Sequence, residues 1–137
     1  AASTSLFGFA RPVLARLRER RVSPAVITRN TRASVYAVFP DADGFLDAVL
    51  TREDVPAVKP DPGHLLAALR AVGAAPAEAM MVGDHPTDVL TARRAGTLAG
   101  AVASGGTPLE ELRRSGPDLL AGDAGELAGL LEARGLI

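Results

Sequence analysis

One stretch, from Met80 to Asp88, constrains the fold more than any other part of the chain. Its apolar start, Met80–Val82, ends in a glycine, and Asp84, Pro86 and Asp88 follow. The pattern predicts a buried strand with Asp84 at its C-terminal tip and a helix beginning at Pro86, where proline's missing N–H costs no hydrogen bond. Open α/β sheets bind ligands at that edge. The stretch therefore predicts an α/β fold with a carboxylate site at a strand tip.

The two carboxylates, Asp84 and Asp88, have two interpretations. Carboxylates held this close repel each other unless a cation or a basic group lies between them. Mg²⁺ suits such a position, since it prefers hard oxygen ligands and is usually held by one or two carboxylates with phosphate and water. Alternatively, Asp84 caps the helix and Asp88 complements its dipole. This stretch alone leaves both interpretations open.

Composition excludes several classes of protein. A length of 137 residues, of which 47% are hydrophobic, indicates a single domain over residues 1–137. A net charge of −1 gives no indication of a nucleic-acid surface. No apolar stretch is long enough to span a membrane, and no signal-peptide pattern opens the chain. The absence of cysteine excludes disulfides and thiolate chemistry, and it fits the cytoplasmic location that we predict.

Lys59 is the only lysine beside fourteen arginines. A site that needs a compact ammonium rather than a planar guanidinium would keep lysine against that bias. Pro60 and Pro62 stiffen the loop that carries it, and Pro62 opens a helix predicted over 62–72. His64, in the first turn of that helix, is expected to be a surface residue.

Thr28 ends another short apolar run, residues 24–28, and Arg29 and Asn30 follow it. A threonine at a strand tip can bond a phosphoryl oxygen, and so can the backbone N–H groups of the next turn. Alternatively, Thr28, Asn30 or Thr31 caps a helix predicted over 31–38.

Residues 41–44, Asp-Ala-Asp-Gly, have the form of a nucleophile loop. Such a loop needs a buried strand leading directly into its first aspartate, but Pro40 precedes it and residues 34–39 are better interpreted as the end of a helix. We therefore predict a turn before a strand over 46–50.

The other segments complete a regular alternation. Helices are predicted over 12–21, 86–95, 109–114 and 124–134, and strands over 79–82, 98–103 and 118–120. In the first helix, an arginine cluster (Arg16, Arg18, Arg20, Arg21) could bind a polyanion, but it is interpreted as a solvated face. Strands alternating with helices predict parallel βαβ units.

Thr28, Lys59 and the Asp84/Asp88 pair follow one another in an order that resembles the haloacid dehalogenase-like hydrolase superfamily, and within it the phosphoglycolate phosphatase-like branch. The resemblance runs from about residue 12 to residue 121. It rests on segments similar to the second, third and fourth motifs of that family: residues 26–30, 58–62, and 82–88 with 92–96.

The resemblance implies a Rossmann-like three-layer αβα sandwich with a mostly parallel sheet, and a magnesium-dependent phosphatase acting on a small phosphorylated metabolite. Thr28, with Arg29 and Asn30, would bind the phosphoryl group, and Lys59 would neutralise its charge. The remaining pair would hold the metal: Asp84 as a ligand and Asp88 completing or orienting the shell.

The chain departs from the family pattern in one important respect. The first motif, an Asp-x-Asp that supplies the nucleophile and the general acid/base, does not precede Thr28, and the helical cap is also absent. The family's first strand lies between the strands that carry the second and fourth motifs, so its loss would open the middle of the sheet. A partner chain or a missing N-terminal segment would have to supply it.

Three alternatives remain beside a phosphatase. A non-catalytic module derived from a hydrolase would bind phosphate or metal without turnover. A haloacid dehalogenase is less consistent with the Asp84/Asp88 pair, which favours metal-dependent phosphoryl transfer. A receiver-like signalling domain carries its acidic residues first and its lysine last, which is the reverse of the order here.

Overall fold

Strands and helices alternate along the chain. The computed structural model describes residues 10–137, and none of the helices in this range is long and apolar enough to cross a membrane. The helices are α1 (Ala10–Glu19), α2 (Arg32–Val38), α3 (Pro62–Val72), α4 (Pro86–Ala95), α5 (Leu109–Arg114) and α6 (Ala124–Ala133). The strands are β1 (Ala25–Ile27), β2 (Ala48–Leu50), β3 (Met80–Gly83), β4 (Leu98–Val102) and β5 (Leu119–Ala121).

Proline and glycine set the ends of the two helices that flank the candidate site. Both α3 and α4 begin with a proline in the first turn. Both end at a glycine with left-handed backbone, Gly73 at φ 72° and Gly96 at φ 81°, a conformation that a side chain would strain. The predicted bounds of these helices are therefore confirmed.

The strands form two separate parallel sheets. β1 pairs with β2, and β3, β4 and β5 pair in that order, with Met81 opposite Ala99. Within residues 10–137, the second edge of β1 and the second edge of β3 have no strand partner. The single, mostly parallel sheet of the family fold is thus divided at the position where the absent first strand was predicted to lie.

Helices cover both faces of these sheets. Met81, Ala99 and Ala101 face one layer, in which they pack with α3, α4 and α5. Met80 and Val102 face the opposite layer, where they pack with apolar residues of α6. Because successive residues of a strand point to opposite faces, this alternation builds three layers and confirms the predicted α/β class.

Helix α1 joins the layer over β1 and β2 to helix α6. Arg16 and Arg20 both form ion pairs with Glu132 of α6. Arg18 pairs with Asp47 at 2.5 Å, just before β2. All four clustered arginines are exposed, so the predicted solvated face is confirmed, and three of them also bind carboxylates of the same chain at the surface.

The Asp-x-Asp-Gly segment is a turn, as predicted. A short 3₁₀ turn covers Ala42–Gly44 between α2 and β2. Asp41 accepts hydrogen bonds from Arg11, which lower the pKa of its carboxyl group, and Asp43 accepts one from the Tyr36 hydroxyl. Neither aspartate lies at a strand tip.

Helix α5 begins without a side-chain cap. Pro108 is its N-cap residue and contributes no side-chain hydrogen bond. The fixed φ of proline suits a helix start.

We expect Gly129→Ala, in the middle of α6, to raise the free energy of unfolding by about 0.5–1 kcal/mol, because alanine costs less chain entropy in a helix. An added Cβ would meet no atom within 4 Å. Urea denaturation of both proteins measures the change, and Gly73→Ala is the matched control that should destabilise, since its φ is 72°. A lower midpoint for Gly129→Ala would contradict the expectation.

Candidate active site

Lys59 and Asp88 form a mostly buried ion pair. The Nζ of Lys59 lies 2.8 Å from Oδ1 of Asp88, and their side chains are 18% and 7% exposed. The other oxygen of Asp88, Oδ2, accepts the backbone N–H of Asp84 at 3.2 Å. Both oxygens of this carboxylate are therefore engaged, one by a cation and one by the backbone at the tip of β3.

Asp84 follows the last residue of β3 and is exposed. It is not the N-cap of α4, because that position belongs to His85, whose ring nitrogen accepts the N–H of Thr87 at 3.1 Å. The capping interpretation of Asp84 is therefore wrong, and its carboxylate remains available at the strand tip. Asp88 does lie in the first helical turn, where its charge complements the helix dipole.

Two glycines leave room for these carboxylates. A Cβ atom at Gly83 would overlap the side chain of Asp88, and one at Gly105 would overlap the carboxylate of Asp84. Each carboxylate thus lies directly against backbone that carries no side chain. The sequence alone does not indicate this role for the glycines, because Gly105 and Asp84 follow different strands and meet only in the folded chain.

Thr28 lies at the tip of β1 and does not cap α2. Its N–H donates to the carbonyl of Leu50 at 3.0 Å, and its Oγ1 accepts the N–H of Asn30 at 3.1 Å. The cap of α2 is Thr31, which accepts the N–H of Ser34 at 3.2 Å. Thr28 therefore has no part in the helix cap. It lies half-buried at the carboxyl end of β1, beside the exposed Arg29 and Asn30.

The prediction that His64 is a surface residue is wrong, because it is fully buried. Its Nδ1 accepts the backbone N–H of Lys59 at 3.2 Å, and its Nε2 lies 2.9 Å from the carbonyl oxygen of Leu50. One signal could have indicated this position: His64 precedes the buried Ala68 by four residues and is next to Leu65, so it shares the inward face of α3.

The turn after β2 is closed by Asp54. This carboxylate accepts the N–H of Thr51 at 2.7 Å and pairs with Arg32 at 2.6 Å. The hydrogen bond from the Thr51 backbone is the largest cause that lowers the pKa of Asp54, and the Thr51 hydroxyl and Arg32 act in the same direction. A closed turn here fixes the point at which the chain leaves β2 for the Lys59 loop.

These contacts bring part of the predicted site together. Lys59, Asp84 and Asp88 are joined directly by hydrogen bonds. In the part of the chain that the structure describes, Thr28 is linked to Lys59 through the Leu50 carbonyl and His64. The exposed Arg29 and Asn30 share the edge with Thr28, but what they bind stays a prediction.

The donor atoms suit magnesium as a partial shell. Residues 10–137 contain no cluster of three or more histidine and acidic side chains that could hold a metal by themselves. Asp84 at the tip of β3 and Asp88 in the first turn of α4 nevertheless provide two carboxylates four residues apart in the sequence, and Mg²⁺ commonly takes one or two carboxylates and completes its octahedron with phosphate and water. These two residues therefore fit the ion.

The fold and the site together define an α/β protein with a hydrogen-bonded acid–lysine cluster at the carboxyl end of a parallel strand. The family model for haloacid dehalogenase-like hydrolases matches residues 2–96. The chain is 35% identical over 122 residues to the protein named "Putative pyrophosphatase PpaX" of Caldanaerobacter subterraneus subsp. tengcongensis, a match that covers 88% of this chain and 56% of that protein.

A second relative and a solved structure are also similar to this chain. Pyrophosphatase PpaX of Bacillus cereus is 37% identical over 89 residues, which are 64% of this chain and 41% of that protein. The crystal structure of a hydrolase from Pseudomonas syringae has a TM-score of 0.82 at 28% identity, covering 94% of this chain and 63% of that one.

The chain belongs to the haloacid dehalogenase-like hydrolases. The resemblance found in the sequence is thereby confirmed, and the structural similarity confirms the α/β fold. The chain spans about half the length of the curated relatives that it matches.

Proposed function

We propose that this chain provides the core of a magnesium-dependent phosphatase that acts on a small phosphorylated compound. The observation that carries the proposal is the hydrogen-bonded cluster of Lys59, Asp88 and Asp84 at the carboxyl end of β3, with Thr28 at the carboxyl end of β1. Membership of a hydrolase family and relatives named as pyrophosphatases support the same reaction class.

Each residue has a role that follows from charge. Phosphoryl transfer depends on positioning and on stabilising negative charge. In the proposed site, Lys59 neutralises a phosphoryl oxygen, and the Thr28 hydroxyl donates to another together with the backbone N–H of Arg29 and the side chain of Asn30. Asp84 and Asp88 would hold Mg²⁺, which when bound supplies further charge neutralisation to the phosphoryl group.

The nucleophile of this proposal lies outside residues 10–137. The unpaired edges of β1 and β3 leave a position for one more strand, and Val82 of β3 is 43% exposed although it is apolar. A strand bearing a carboxylate at its tip would enter between Thr28 and Asp84. We propose that a segment outside the described residues, or a partner chain, supplies this strand.

Pyrophosphate is the first substrate to test, since two relatives carry pyrophosphatase names. A second candidate function is binding of phosphate or magnesium without turnover. It is favoured by one observation: both Asp41 and Asp43 of the Asp-x-Asp-Gly segment are bound in a turn away from the strand tips.

The first experiment is the intact mass of the purified gene product, followed by hydrolysis of pyrophosphate and p-nitrophenyl phosphate with and without Mg²⁺. A mass well above 14.1 kDa means that further chain is available to supply the nucleophile. A mass of 14.1 kDa with no turnover, but with phosphate binding, favours the binding module.

We expect Asp84→Asn to reduce the magnesium-dependent hydrolysis by about 10²-fold or more, because a neutral amide is a poor ligand for a hard cation. Asp43→Asn is the matched control, since Asp43 is exposed, lies in the turn before β2 and should leave the rate unchanged. Initial rates across a magnesium titration measure both variants. Full activity of Asp84→Asn would overturn the proposed function.

A further inference from the structure

We propose that His64 is a positioning residue that fixes Lys59 relative to Thr28. The proposal rests on the proposed function, in which these two residues bind one phosphoryl group. His64 itself lies beneath the site, fully buried in the first turn of α3, and has no exposed surface with which to touch a substrate.

A continuous chain of hydrogen bonds joins the two phosphate-binding residues through His64. The N–H of Thr28 donates to the carbonyl of Leu50 at 3.0 Å, and the Nε2 of His64 lies 2.9 Å from that same oxygen. On the other side of the ring, the N–H of Lys59 donates to Nδ1 at 3.2 Å. One rigid imidazole therefore spans the distance from the tip of β2 to the backbone of Lys59.

The two hydrogen-bond partners of His64 specify the tautomer of its ring. A backbone N–H can only donate, and a backbone carbonyl can only accept. Nδ1 must then carry a lone pair and Nε2 the hydrogen, which is the neutral Nε2–H tautomer. Its roles are directional, so an apolar side chain of similar volume cannot replace it.

The surroundings explain why the Lys59 backbone needs this partner. Lys59 lies in a loop between β2 and α3, where no strand pairs with it. A half-buried N–H without a partner costs more than the hydrogen bond gains, so the segment would shift to find water. Such a shift would move Nζ away from Asp88, to which it lies at 2.8 Å. By binding the backbone N–H of Lys59, His64 therefore fixes the position of the Lys59 ammonium group.

Three variants test the hydrogen bonds of the two His64 ring nitrogens separately. The amide of His64→Asn reaches about as far as Nδ1 and can still accept from Lys59. The amide of His64→Gln reaches about as far as Nε2 and can still donate to Leu50. His64→Leu keeps much of the volume and loses both hydrogen bonds.

The test uses the full-length gene product with inorganic phosphate and MgCl₂ as the probe. We expect His64→Leu and His64→Gln to weaken phosphate binding about tenfold, the effect of one lost hydrogen bond that leaves a buried donor unpaired. We expect His64→Asn to retain most of the affinity. Equal losses in all three variants, with unchanged Lys59 amide exchange, would overturn the positioning role.

A second readout does not depend on phosphate. Long-range ¹H–¹⁵N correlation of the His64 ring should show the Nε2–H tautomer, and hydrogen exchange at the Lys59 amide should accelerate in His64→Leu but not in His64→Asn. The opposite tautomer, or unchanged exchange, would overturn the proposal. Wild-type protein that binds no phosphate would instead contradict the proposed function, while the tautomer and the exchange rates would still decide the role of His64.

Discussion

Lys59→Met is expected to lower magnesium-dependent hydrolysis by about 10²–10³-fold, the usual effect of removing one pre-positioned group that stabilises transition-state charge. The side chain is held by Asp88 at 2.8 Å and is only 18% exposed, so its ammonium acts where water screens it little. Methionine keeps much of the length and apolar stem but carries no charge.

The variant should also show how much the ion pair contributes to the fold. Without Lys59, the Asp84 N–H is the hydrogen-bond donor that residues 10–137 still offer to the buried carboxylate of Asp88, and breaking a buried ion pair in this way costs about 3–5 kcal/mol. Rates must therefore be measured well below the unfolding transition, with urea denaturation run in parallel. Lys59→Arg tests geometry: it keeps the charge, but its planar fork does not match a carboxylate that offers it only Oδ1, because Oδ2 already accepts the Asp84 N–H.

Arg70→Met is the matched control for the loss of a cation. Arg70 is exposed in the last turn of α3, away from the strand edge, so its replacement should leave the rate within about twofold. Unchanged hydrolysis by Lys59→Met would remove Lys59 from the proposed machinery. A loss in both variants would point to general destabilisation instead.

The composition of the chain makes this site unusually accessible to observation. Lys59 is the only lysine of these 137 residues, so reductive ¹³C-methylation labels no other side chain among them. Dimethylation keeps the charge. Added phosphate should shift the Lys59 signal in the wild-type protein, and the signal should move to the position of a free amine when Asp88→Ala removes its partner.

Much of the fold could be predicted because the relevant signals are local. Pro62 with Gly73, and Pro86 with Gly96, set the helix ends through the backbone preferences of single residues. The strand tip at Asp84 was predictable for the same reason, since an apolar run ending in glycine precedes it.

The contacts that were not predicted join distant parts of the chain. The sequence predicts His64 as a surface residue because its partners, the Leu50 carbonyl and the Lys59 N–H, belong to a strand and a loop outside its helix. The helix cap by His85 was missed because two aspartates nearby are the commoner choice for that role. In both cases a histidine side chain forms hydrogen bonds with backbone groups, and a single sequence contains no pattern that predicts such bonds.

The division of the sheet shows how a missing element could be predicted. Motif order placed Thr28 and Asp84 on strands that should flank a third, and among residues 10–137 no strand pairs with β1 and β3 at those edges. Helix α1, through Arg18 to Asp47 and through Arg20 to Glu132, links the two sides. The sequence could not show this bridge, because the arginine pattern fits a solvated face equally well.

Gly83→Ala is expected to lower the free energy of unfolding by about 1–3 kcal/mol, the cost of overpacking a closed site. A Cβ at this position would overlap the Cβ, Cγ and Oδ2 atoms of Asp88. Because the Cβ of Asp88 is fixed to the first turn of α4, rotating the side chain cannot relieve the overlap. The helix start must move, and the Lys59 pair and the Asp84 N–H contact should weaken with it.

Urea denaturation and phosphate titration together measure this effect. Gly44→Ala is the matched control, since an added Cβ there meets no atom within 4 Å, and it should stay within about 0.5 kcal/mol of wild type. In an Asp88→Ala background, Gly83→Ala should cost less, because part of the overlapping side chain is gone. Equal costs in both backgrounds would show that the glycine serves the strand and not the carboxylate. A smaller cost in the Asp88→Ala background, together with loss of phosphate binding in the Gly83→Ala single variant, would show that this glycine sets the position of Asp88.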